Sequence, residues 1–127
     1  MTLPNGRVTA KPVNAPDPLA YGDGVMSVGL FPNGIVVFRK GGPGEIRADG
    51  SLAMKFPWDR GHASGRLVIT GRRLDAAAPP LRADVPEFYA DGGFLPTRLI
   101  FPTVGCWEVT GTVGRSQLTF VTQVVRE

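Results

Sequence analysis

An all-β sandwich of seven or eight short antiparallel strands is the fold class this sequence predicts, and three observations predict it. The 127 residues include 17 Gly and 12 Pro, a density of punctuation that suits short strands joined by turns and leaves no room for long helices. No run of helical periodicity extends beyond about two turns. Apolar and polar residues instead alternate in short segments bounded by Gly, Pro, Asn and Asp, the residues that turns require. A single domain of this length buries roughly two thirds of the surface its unfolded chain exposes, so no covalent staple is needed.

The elements follow in order. Residues 1–24 carry Pro4, Pro12, Pro16 and Pro18 with little alternation and read as an extended N-terminal arm, with one short strand at 7–13 laid along a sheet edge. The sandwich domain is expected over residues 25–127. Residues 25–31 and 35–40 are strand-like runs, and Pro32-Asn33-Gly34 between them predicts a tight hairpin. The run GGPG at 41–44 ends it. Asp49-Gly50 predicts a second tight turn, between strands at 45–48 and 51–58. DRGHASG at 59–65 is a polar loop.

Residues 66–74 alternate, with Leu67, Ile69 and Gly71 on an inward face and Arg66, Val68, Thr70 and Arg72 on the outward one. Pro79, Pro80 and Pro86 mark residues 75–93 as a long crossing connection of Greek-key type, with a short strand or a helical turn near 81–85. Strands at 94–101, 106–113 and 117–125 complete the chain. In the last hairpin Trp107, Val109, Gly111 and Val113 share the core face, where Leu118 and Phe120 meet them, while Cys106, Glu108, Thr110 and Thr112 share the other. Strand number, spacing and the long connection together predict an immunoglobulin-like sandwich.

Charge and motif content narrow the function classes. The net charge is +3, carried mostly by arginine dispersed singly except at Arg72-Arg73. No basic cluster with interleaved aromatics appears, so a nucleic-acid partner is not expected. No stretch of 18 apolar residues predicts a membrane span, and the first residues lack the apolar centre of a signal peptide.

The one histidine, His62, stands two residues from Ser64, a poor spacing for a base and its nucleophile, and no G-x-S-x-G elbow surrounds any serine. Cys106 with His62 would form a thiol pair only if the fold joined them, and Glu108 on the same strand face is expected to raise the thiol pKa. One His and one Cys are too few ligands for a copper or structural zinc site. Asp49, Asp59 and Asp91 are more simply turn residues than cation ligands. No metal and no cofactor is expected. Trp58, Asp59, Arg60 and His62, with Arg72, Arg73 and Arg82 further along the chain, have the composition of a sugar or peptide contact. A tryptophan that caps the core beside solvated arginines is the favoured reading of the same residues.

The segments FPNGIVVFRKGGPG, DGSLAMKFPW, GRLVITGRRLDAAAPPLRADVP, GFLPTRLIFPTVGCWEVTG and LTFVTQVV together resemble a family of uncharacterised bacterial exported proteins and lipoproteins, over residues 3–125. The resemblance implies an extracytoplasmic, cell-surface location, with a lipoprotein signal and a Pro/Thr-rich tether ahead of this domain in the full-length protein. It also implies a second cysteine just before the segment matching TLPNG, where this chain has Met1; Cys106 would pair with it in the exported form and is left without that partner here.

That family carries an aromatic and an aliphatic residue in place of Asp59 and His62, which moves the candidate binding residues to Arg72, Arg73, Asp75, Arg82 and Asp84, with Trp58 beside them. The five charged residues equally suit a salt-bridge network that pins the long connection. The function expected is a non-catalytic extracytoplasmic binding or interaction module with a ligand or protein partner. A structural subunit that self-associates through its arm is the second reading, and a hydrolase with a pocket joining His62 to an acid and a nucleophile is the third.

Overall fold

The computed structural model of the protein describes residues 20–22, 26–31, 34–61, 65–86 and 93–127. The expected strand at 7–13, His62, Ser64 and Asp91 lie outside the described residues. Ten strands are present among them: β1 (Ala20–Gly22), β2 (Ser27–Gly29), β3 (Ile35–Phe38), β4 (Glu45–Ile46), β5 (Leu52–Asp59), β6 (Val68–Arg73), β7 (Arg82–Asp84), β8 (Phe94–Phe101), β9 (Gly105–Val113) and β10 (Ser116–Arg126). They form two sheets, and the expected all-β sandwich is what the chain adopts. The first sheet has the order β1-β2-β5-β8-β7, with β4 pairing β5 on the β2 side; the second has the order β3-β10-β9-β6. All ladders are antiparallel except β3 with β10, which is parallel and aligns Ile35 with Gln123 and Phe38 with Arg126.

The inward faces follow the alternation in the sequence. Leu52, Met54, Phe56 and Trp58 of β5 are buried while Lys55 and Pro57 are exposed. Trp107, Val109, Gly111 and Val113 of β9 are buried, and Leu118 and Phe120 of β10 stand opposite Gly111 and Val109. Aromatic pairs join the sheets: Phe56 stacks on Phe120 at 5.8 Å and Phe101 meets Trp107 edge to face at 5.7 Å, separations at which ring pairs stabilise beyond simple burial. Gly111 is where the layers come closest, since a Cβ there would lie 2.6 Å from the Trp58 ring. Buried hydroxyls are satisfied, Thr97 Oγ1 donating to the Phe56 carbonyl at 2.7 Å and Thr122 Oγ1 to the Gly34 carbonyl at 2.9 Å.

The second hairpin forms as expected. Arg47 accepts a bond from the Gly50 N–H at 2.9 Å and Gly50 takes φ of 89°, so β4 turns back onto β5. The first does not. β2 and β3 lie in different sheets, and the segment between them crosses the edge of the sandwich. Two features far along the chain explain this. Pro57 faces Pro96 across the β5–β8 ladder, and a proline has no N–H to give a neighbouring strand. The β2–β5 ladder accordingly stops at Val28–Trp58, and the Pro57 ring occupies the space where a side chain on Gly29 would stand, 2.7 Å from a Cβ. Beyond it Phe31 packs on Phe56 at 5.3 Å, Gly34 bonds back to the Phe31 carbonyl, and Thr122 fixes Gly34 to the second sheet.

The long connection crosses as predicted, leaving β6 in one sheet and entering β7 in the other. Leu81, buried, is held to β6 by its N–H bond to the Gly71 carbonyl at 3.1 Å.

Candidate functional site

The crossing that the sequence predicts also separates the candidate residues. Arg72, Arg73 and Asp75 stand at the end of β6 on the second sheet, whereas Arg82 and Asp84 belong to β7 on the first. The two groups stand on adjoining edge strands of the two sheets, joined where the Leu81 N–H bonds the Gly71 carbonyl. Trp58 joins neither group: it is 1% exposed, its ring lies against Gly111, and it sits 6.0 Å from Phe120. It is a core residue, the favoured reading of its loop. Its indole Nε1 has no hydrogen-bond partner among the described residues.

The first group is a clamp. Arg73 Nε donates to Asp75 Oδ1 at 2.8 Å and its Nη1 to Thr103 Oγ1 at 3.3 Å. The same Asp75 oxygen accepts the Cys106 backbone N–H at 3.1 Å, and the Leu74 N–H donates to the Cys106 carbonyl at 2.7 Å. Thr103 in turn accepts the Trp107 indole N–H on its carbonyl at 3.1 Å. These bonds fasten the start of the long connection to the start of β9. The Arg73 guanidinium and the Cys106 N–H hold the Asp75 carboxyl below its ordinary range, because both favour the charged form. Arg72 pairs with Glu108 at 3.0 Å on an open surface, its side chain 73% exposed, where such a pair stabilises little.

Cys106 is buried, 7% exposed. Burial pushes its pKa up, and Asp75 adds to the shift. The raised value agrees with expectation, but the charge responsible is Asp75 and not Glu108. Asp59 closes its own turn by accepting the Gly61 N–H at 2.7 Å, and Arg60 Nη1 donates to the Gly65 carbonyl at 2.6 Å. Among the described residues no group of three His, Cys, Asp or Glu side chains is placed to hold a metal ion, and no helix is long and apolar enough to cross a membrane.

Of the second group, Asp84 lines a groove and Arg82 does not. Ala83, Asp84, Val85, Pro86, Pro96 and Arg98 surround a shallow space of about 540 Å³ beside β7. Asp84 is the ladder partner of Arg98, and the β7–β8 pairing ends there; Pro96, next on that side of β8, has no N–H to extend it. Arg98 is turned toward Glu45, with which it forms a salt bridge. A second groove, of about 620 Å³, is more apolar and runs beside β3 past Phe31, Ile35, Val37 and Met54. Sequence reasoning missed Arg98, Glu45 and Pro96. Their grouping depends on the register of three strands distant in the chain, and only the proline carried a local signal.

Fold and grooves together define an all-β sandwich protein with open depressions at its sheet edges. No family model, curated protein or solved structure matches the chain.

Proposed function

We propose that this protein is a non-catalytic binding module that takes its ligand or partner in the groove beside β7. One observation above others supports the reading: the ladder partners Asp84 and Arg98 line, with Pro86 and Pro96, a depression at a sheet edge where the ladder has stopped. Rigid prolines beside charged side chains offer a surface that loses little entropy on binding. The strand order is consistent with an immunoglobulin-like Greek key, in which β2, β5, β8 and β7 take the A, B, E and D positions and β6, β9 and β10 the C, F and G positions. In this scheme β3 is the second half of a first strand divided between the sheets. The location outside the cytoplasm, and the pairing of Cys106 with an upstream cysteine, rest on the family resemblance.

The test is a thermal-shift panel of glycans, peptidoglycan fragments, divalent metals and phosphorylated small molecules, run in parallel on the protein and on Asp84→Lys. A ligand of the groove at about a hundred times its Kd stabilises the protein by roughly 2.7 kcal/mol, and the shift is lost in the variant. A shift that survives Asp84→Lys places the site elsewhere. A flat panel from both folded proteins overturns the small-ligand reading and leaves a protein partner. Self-association through the arm is the second reading, favoured by one observation: β1 already adds a strand to the β2 edge.

A further inference from the structure

Strand β3 is an edge of the second sheet, and its sequence does nothing to guard that edge. It reads Ile-Val-Val-Phe, between Gly34 and Arg39. Edge strands are ordinarily blunted by a charged side chain, a proline or a bulge within the strand. β6, the opposite edge of the same sheet, carries Arg72 and Arg73, and β7 carries Arg82 and Asp84. β3 carries no such device.

One bond shows which backbone groups the edge offers. The Phe38 carbonyl accepts the Glu127 N–H at 2.8 Å, so Phe38 directs its backbone groups toward β10, and so does Val36, two residues earlier on the same parallel ladder. Alternation turns the N–H and C=O of Ile35 and Val37 the other way. Among the described residues nothing pairs with them. The groove of about 620 Å³ beside β3 is lined by Ile35 and Val37, by Phe31 and Met54, and by the turn at Gly41 to Pro43, with no contribution from β10. It therefore lies on the side to which those groups point. The turn is a fixed wall, because the Gly42 N–H bonds the Arg39 carbonyl at 3.0 Å and a Cβ on Gly44 would lie 2.6 Å from the Phe38 ring.

Charge selects the occupant. Arg39 also lines the groove, next to Lys40. Its side chain is 58% exposed and stands 3.7 Å from Glu127, a surface pairing that stabilises little. A second copy paired through its own β3 brings no acid to this positive end, since none occurs between Asp23 and Glu45. An extended peptide with a carboxylate does.

We infer that the β3 edge is a strand-addition site for an extended peptide of another protein, which pairs antiparallel through the N–H and C=O of Ile35 and Val37. In that register the peptide residue opposite Val36 is aliphatic and turns toward Phe31 and Met54, and the residue three positions before it, opposite Arg39, is acidic. This site is separate from the groove beside β7 and stands independently of that reading.

The probe is the peptide acetyl-Glu-Thr-Val-Leu-Val-Thr-amide, titrated into the isotopically labelled full chain while amide exchange is followed residue by residue. The Ile35 and Val37 amides are expected to become protected, while Val36 and Phe38, already bonded to β10, change little. A methyl group on the nitrogen of the first peptide valine, which faces the Val37 carbonyl, should weaken binding about tenfold or more. The same group on the leucine nitrogen, which points away from β3, should cost little. Replacing the peptide glutamate by glutamine should weaken binding about twofold to fivefold; equal affinity overturns the assigned partner chemistry. No saturable binding at millimolar peptide, protection away from Ile35 and Val37, or indifference to the position of the methyl group overturns the site. Protection of the same two amides that grows with protein concentration alone also overturns it, and assigns the edge to a second copy.

Discussion

Gly111 is small because Trp58 fills the space in front of it. A Cβ at this position would meet two ring carbons at 2.6 Å, and neither the ring, packed on Phe120, nor the strand can move away freely in a core at crystal-like density. Gly111→Ala is expected to lower stability by about 1–3 kcal/mol, read as a shift of the urea midpoint with unchanged slope. Asp75 makes a different kind of contribution. Its carboxyl is depressed by the Arg73 guanidinium and the Cys106 N–H, so its stabilisation is present above the unfolded value, about 3.9, and is lost as pH falls through the lower folded value. Asp75→Ala is thus expected to be less stable than the unaltered protein at pH 7, and the gap between their denaturation midpoints should narrow as pH drops below about 4. A gap that does not change with pH would place the effect in packing instead.

At the scale of elements, turns written within a few residues were legible and crossings were not. Asp49-Gly50 forms the turn its sequence predicts, Asp49 Oδ1 accepting the Ser51 N–H at 2.9 Å and Gly50 adopting a positive φ. Gly50→Ala is expected to cost about 1 kcal/mol by thermal denaturation, and a neutral result would mean that the turn relaxes. Pro32-Asn33-Gly34 carried the same local signal, but the outcome there was decided by Pro57, which stops the β2 ladder, and by Thr122, which captures Gly34 from the far end of the chain. Alternation in β9 correctly turned Cys106 outward; that it is nonetheless buried was invisible, since what covers an outer face is not encoded in the strand itself. The candidate site shows the same division. The long connection of residues 75–93 was expected to cross between sheets, and its first part does so, leaving Arg73 on one sheet and Asp84 on the other while Leu81 keeps the two edge strands together through its bond to the Gly71 carbonyl.

For the molecule as a whole, the two sheets are joined by a few large rings, Phe56 on Phe120 and Phe101 against Trp107, while the β2–β5, β5–β8, β6–β9 and β3–β10 ladders link segments distant in sequence. Such non-local pairing makes assembly slow, because each closure must be paid in chain entropy before its contacts form. The pair that closes the largest loop is β3 with β10, and it has a mechanical consequence. The strands run parallel from Ile35–Gln123 to Phe38–Arg126, continued by the Glu127 N–H to the Phe38 carbonyl at 2.8 Å. The chain enters β3 at one end of this ribbon and leaves β10 at the other. Tension between the two ends, once β1 and β2 have peeled from their edge, slides the strands past each other along their axes. All of the ribbon's bonds then carry the load together, as in a lap joint, whereas a terminal hairpin would open one bond at a time like a zip.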